Sequence, residues 1–165
     1  MACFGLTAAG RFIESGLYFF LLLAIREFLA SYFFLTRREA AFSAGVPVML
    51  FAFVSSAMPL LYSWGVPTSL SALTIAEVCS VIGFTLAALA TVELGDRLSI
   101  SPERRGEFCK RGVYKYIHHP MYIGYFIAET GLVIAFPQNR YLYVASMLMY
   151  LIRAKLENRI QKRRA

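Results

Sequence analysis

At 165 residues and 58% hydrophobic, with a mean hydropathy of +0.57, the chain is too apolar for an ordinary soluble domain of its size and reads as one integral membrane domain. Its three cysteines, Cys3, Cys79 and Cys109, stand at unrelated positions, which argues against a disulfide framework and against a structural metal. The net charge of +7 sits at the edges of apolar segments, where the positive-inside rule and anionic headgroups account for it without nucleic acid.

Met1 to Gly10 lacks a basic region followed by a cleavable small-residue site, so it does not read as a signal peptide. The first apolar segment is read as one span from Phe12 to Leu35, long enough for a bilayer that needs about twenty residues. Arg26 and Glu27 interrupt it, and charges at that depth turn toward a bundle interior, a polar cavity or the interface. Two readings are open for Arg26. It snorkels or pairs with an acidic group on another helix, for which Glu77 is available, or it belongs to a polar pocket.

Thr36, Arg37, Arg38 and Glu39 close that segment, and a second apolar run extends from Gly45 to Trp64, with Pro47 near its start and Pro59 near its end. Tyr62 and Trp64 fit an interfacial aromatic belt. After the uncharged turn at Gly65, a third run from Ser69 to Val92 contains Glu77 as its only charge. Leu98 to Ile117 is the long polar region, with Arg104, Arg105, Lys110, Arg111 and Lys115; Cys109 reads as an ordinary loop thiol. Two shorter apolar runs, Met121 to Phe136 and Tyr141 to Ile152, follow, separated by Pro137 to Arg140. The first spans roughly 24 Å and the second, extended to Glu157, about 25 Å. Both fall short of a hydrocarbon core of about 30 Å, as a tight helical hairpin that thins the bilayer can.

Arg37 and Arg38, six cations from Arg97 to Lys115 and six from Arg153 to Arg164 would share one side, leaving Arg11 and Arg140 on the other. The expected fold is therefore an all-α polytopic membrane bundle of about five transmembrane helices, with the N-terminus outside and the C-terminus in the cytoplasm. Residues 1–93 supply three helices; residues 94–165 supply the loop, hairpin and tail of the same domain.

The stretch Gly112 to Gly124 does not resemble membrane filler: it holds His118, His119, Pro120, three tyrosines and two glycines. Pro120 disfavours helical geometry at His119 and suits a first helical turn, whose free N–H groups attract an anion. The hairpin returns Arg153 and Glu157, i and i+4 on one helical face, to the same level. A cation, a carboxylate, imidazoles and a phenol then surround one point.

In Gly112-Val113-Tyr114, in His118-His119-Pro120-Met121-Tyr122-Ile123-Gly124, and in Arg153 followed by Glu157-Asn158, the chain resembles the isoprenylcysteine carboxyl methyltransferase and phospholipid methyltransferase superfamily of membrane enzymes. Leu94 and Gly95, with Ser99 beyond, fit its approach to this loop. His118 stands where the family usually has arginine, and Asn158 where it has a second glutamate. The resemblance implies methyl transfer from S-adenosylmethionine to a lipophilic or lipid-modified acceptor that arrives from the surrounding membrane lipids, at a site facing the cytoplasm. It implies cofactor contacts from Tyr114, His119, Pro120, Tyr122, Gly124 and Glu157. Glu157 accepts from the ammonium or ribose, His119 donates to the carboxylate, the tyrosines cover adenine or sulfonium, and Gly124 permits close backbone approach. Arg153 and His118 are the implied catalytic pair. Arg153 orients a carboxylate acceptor, whereas an amine must lose a proton, to His118 or Glu129. A carboxyl or thiol-derived acceptor stands ahead of a phospholipid amine. Membrane sterol reductases, which use NADPH, carry a similar motif with asparagine at the place of Met121, and a non-catalytic scaffold is the third reading.

Overall fold

The computed structural model describes residues 1–36, 42–43, 45–98, 103–104 and 111–162. Arg37, Arg38, Glu39, Ser99, Arg105, Cys109, Lys110, Arg163 and Arg164 lie outside the described residues, as does the side chain of Arg104. The described fold is helical apart from a two-residue antiparallel pairing of Phe42 with Arg104 and Ser43 with Glu103.

The N-terminal segment is not one span. It forms α1 (Ala2–Ser15) and α2 (Tyr18–Leu35), broken at Gly16, which caps α1 at φ 70° and returns its N–H to the Phe12 carbonyl. Only glycine adopts that left-handed cap readily, and Ser15 Oγ assists by accepting from Leu17 N–H at 3.2 Å. Helix α1 folds back along α2: Gly5 lies under the Phe28 ring, and Arg11 donates to the Tyr62 carbonyl at 2.7 Å. The N-terminus therefore approaches the bundle end where α2 finishes, not the opposite end that a single first span requires.

Helix α3 (Val46–Ala57), with Pro47 in its first turn, runs into a short 3-10 turn, Met58–Leu61. Tyr62 is fully buried and donates to Glu129, so it belongs to the interior and not to an interfacial belt. Trp64 packs edge-on against Phe20, with the Arg11 guanidinium 5.1 Å from its ring centre.

Helix α4 (Leu70–Leu94) starts at Ser69, whose hydroxyl accepts from Ala72 N–H at 3.0 Å. Helix α5 (Pro120–Ala135) and helix α6 (Arg140–Lys162) are joined through Pro137–Asn139 and form the expected hairpin. Helix α6 is continuous well past Ile152. Helices α4 and α5 are antiparallel neighbours in contact through small residues: Gly83 faces Gly124, Gly124 also faces Ala87, and Gly131 faces Ala76 and Cys79. Where lipid offers no hydrophobic driving force between helices, such close approach supplies the packing. Thr68 N–H to the Ala135 carbonyl at 3.0 Å ties one end of this pair. At the other, Glu93 accepts from Val113 N–H at 2.9 Å.

Helices α2 and α4 are long and apolar enough to cross a membrane; α3 with its turn, and α5, are shorter apolar helices. Several polar side chains are buried beside an apolar core, and many large apolar ones are exposed. Ser55, Ser80, Thr91, Ser146, Glu27 and Glu129 are buried, while Ile25, Phe28, Val54, Val78 and Val81 are exposed. That distribution suits a surface facing lipid.

Candidate active site

Helix α5 opens as its sequence dictates. His119 precedes it at φ −131° and Pro120 is its buried first residue. The His119 ring reaches α6 through both nitrogens, with Nε2 3.1 Å from Asn158 Oδ1 and Nδ1 3.5 Å from Glu157 Oε2. A neutral imidazole has one N–H and can donate to only one of these acceptors, whereas the imidazolium donates to both. Pairing with Glu157 accordingly raises the His119 pKa above its ordinary value, against the opposing effect of burial, and Asn158 adds to the rise. Asn158 thus serves His119 as an acceptor.

One turn into α5, Tyr122 donates its hydroxyl to Glu157 Oε1. Its ring stacks between His119, at 5.6 Å, and Tyr150, at 5.7 Å. The Arg153 guanidinium lies 5.4 Å from the same ring and donates to Ser56 Oγ on α3 at 3.0 Å. Tyr122, Tyr150, Arg153, Glu157 and Ser56 border a cavity of about 30 Å³.

Tyr122, Arg153 and Glu157 line this cavity, and His119 stands behind Glu157. The other expected site residues are elsewhere. His118 is exposed on the turn before α5. Tyr114 packs with Ala90 in a small cluster of its own. Gly124 faces α4, so its missing side chain makes room for a helix. Glu129 is buried away from the cavity, accepting from Tyr62 and Tyr150 hydroxyls at 2.7 Å each.

Arg26 does face a polar pocket. Its partner is Glu27, the next residue, and not Glu77. Glu77 accepts from Tyr18 N–H at 3.3 Å, eight residues and hence about 12 Å along α2 from Arg26. Tyr125 and Tyr150 complete the polar wall and were not singled out in the sequence. The available signal was helical spacing: Tyr122 and Tyr125 lie three apart, as do Tyr150 and Arg153, with Glu157 four further on. Within this wall Arg26 Nε, Glu27 Oε2 and the Tyr125 hydroxyl are buried and have no hydrogen-bond partner among the described residues. Among the described residues no cluster of metal-ligating side chains occurs.

The apolar helical bundle holds a cavity bordered by charged and phenolic side chains of α2, α5 and α6, and the family match that follows makes the protein a membrane methyltransferase. The model of the isoprenylcysteine carboxyl methyltransferase (ICMT) family matches residues 73–164, more than half of the chain, and the chain belongs to that family. No curated protein and no solved structure matches it. The matched stretch contains the cavity's α5 and α6 walls; Arg26, Glu27 and Ser56 precede it.

Proposed function

We propose that the protein transfers a methyl group from S-adenosylmethionine to a lipophilic acceptor, with a carboxyl or thiol-derived acceptor ahead of a phospholipid amine. The observation that carries this reading is the Glu157 carboxylate, held by Tyr122 and beside His119, at the wall of a cavity that Arg153 also lines. S-adenosylmethionine supplies an electrophilic methyl on a sulfonium. Glu157 accepts from its ammonium or ribose hydroxyls, and the imidazolium of His119 attracts its carboxylate. Arg153 orients an acceptor carboxylate, for which no general base is required. The tyrosine rings and Met121 limit water around the reacting atoms, which favours a displacement between desolvated partners.

The single domain of residues 1–165 is multi-pass in this reading. The ends of α2, α4 and α6 face the cytoplasm, because the loop and tail cations collect there. The acceptor's lipid portion enters from the bilayer.

The test is calorimetric titration of the protein in nanodiscs with S-adenosylmethionine, S-adenosylhomocysteine and NADPH. Saturable binding of the first two alone is expected. Binding of NADPH alone, or of none of the three, overturns the reading.

A further inference from the structure

The last turn of α4 carries a carboxylate, Glu93, at the end of a helix whose free carbonyls disfavour negative charge. Methyl transfer as derived above leaves this half-buried residue without a task. Both of its oxygens accept from the N–H of Val113, at 3.0 and 2.9 Å. The neighbouring Gly112 has φ 48°, and a side chain there would begin where the Glu93 carboxylate lies. Glycine is needed twice over, for its left-handed backbone and for the room it leaves.

Val113 passes this attachment forward. Its carbonyl accepts from Tyr116 N–H at 3.2 Å and from Ile117 N–H at 3.0 Å, so the 3-10 turn Gly112–Lys115 continues as one braced piece to within two residues of His119. Tyr114, inside the turn, is buried against Ala90, with Leu94, Val113 and Met121 around it. Met121 also lines the cavity, and its sulfur accepts from Thr91 Oγ1 at 3.6 Å. The first turn of α5 is thereby braced against α4 on one side, while His119 and Tyr122 reach Glu157 on the other. Small displacements count here, because hydrogen bonds hold only over a narrow range of distance and angle.

We propose that Glu93 is a positioning residue: by holding Val113 N–H it sets the opening of α5, and with it the approach of His119 and Tyr122 to Glu157. Glu93 itself lies outside the cavity lining and acts through the backbone of the turn. That the arrangement serves a methyl donor rests on the methyl-transfer reading; that Glu93 fixes the geometry of His119 against α6 does not.

Three variants of the full chain in nanodiscs test the attachment. Glu93→Gln keeps an acceptor oxygen for Val113 N–H, Glu93→Ala removes it, and Glu93→Lys removes it while giving the end of α4 the charge that a helix C-terminus favours. The first readout is NMR titration of labelled histidine; the chain has two, and His118→Gln identifies the signal of His119. In the wild type His119 should titrate above its ordinary value of about 6.5, since Glu157 and Asn158 accept from its ring. The Ala and Lys variants should bring that midpoint back toward the ordinary value, and the Gln variant should leave it in place. The second readout is calorimetric binding of S-adenosylhomocysteine, at least about tenfold weaker in the Ala and Lys variants and within about twofold of the wild type in the Gln variant. A carboxylate that served only the helix would be replaced by lysine without loss, so Glu93→Lys decides the matter even where Glu93→Ala does not fold. An unmoved His119 midpoint in the Lys variant, or a Gln variant that behaves like it, overturns the proposal. If S-adenosylhomocysteine does not bind the wild type, the methyl-transfer reading falls and the histidine titration still judges Glu93. If it binds wild type and variants alike and the midpoint stays in place, Glu93 falls alone.

Discussion

Gly83 and Gly124 face each other so closely that the carbonyl oxygen of each occupies the place where a side chain on the other would begin. This contact fixes the spacing of α4 and α5, and α5 carries Tyr122 and Tyr125 on its cavity side. A methyl group at either glycine must push backbone, which cannot rotate away. We expect Gly124→Ala to destabilise the protein by about 1–3 kcal/mol, the usual range for overpacking. Thermal unfolding in detergent should show the lowered midpoint, and an unchanged midpoint would mean that the helices are not in this register.

The buried carboxylate of Glu129 accepts from two hydroxyls, Tyr62 beyond α3 and Tyr150 on α6. Removing either donor leaves a lone pair of a buried acid without its partner, at a cost of about 1–3 kcal/mol. Tyr62→Phe and Tyr150→Phe should each lower the unfolding midpoint. Tyr150→Phe alone should also affect ligand binding, since only Tyr150 lines the cavity. Equal effects of both variants on ligand affinity would place Glu129 in the site after all.

Much of this was legible in the sequence where one local rule decided the outcome. Pro120 set the start of α5, Ser69 capped α4, and Pro137 to Arg140 turned the hairpin. The polar cavity was legible in outline from Arg153, Glu157 and Tyr122. Other features depended on contacts between distant residues. Gly16 lies in an apolar run, and only its positive φ shows that it ends a helix. Gly124 sits inside a motif, yet its neighbour is Gly83, forty-one positions earlier. For Arg26 the sequence leaves a partner across the bundle and a place in a polar pocket both open, and sequence distance cannot tell an adjacent residue's side chain from one a helix away.

The assignment of Glu157, His119 and Arg153 separates binding from turnover. Glu157→Ala and His119→Ala should each weaken S-adenosylmethionine binding at least about tenfold, or about 1.4 kcal/mol. Arg153→Ala should depress turnover more than cofactor affinity, since its proposed partner is the acceptor. Calorimetry and initial rates on the same preparations check both. Unchanged affinity in folded Glu157 and His119 variants would remove them from the cofactor site, and equal losses for Arg153 would move it into that site.

The His119 contacts make this end of the hairpin sensitive to pH, and the sign follows from the raised pKa. The folded value lies above the unfolded one, which is about 6.5. The imidazolium's pairing with Glu157 and Asn158 therefore contributes its full stabilisation below the unfolded value and loses it as pH rises through the folded value. The unfolding midpoint of the wild type should fall across that window, and His119→Gln, which cannot titrate, should flatten the fall. Asn158→Asp replaces a neutral acceptor 3.1 Å from Nε2 with a carboxylate. The imidazolium is then favoured further, so the fall should move to higher pH. Midpoints recorded in steps from about pH 5 to 9 would show this; a fall that stays in place in Asn158→Asp would mean that His119 does not titrate against α6.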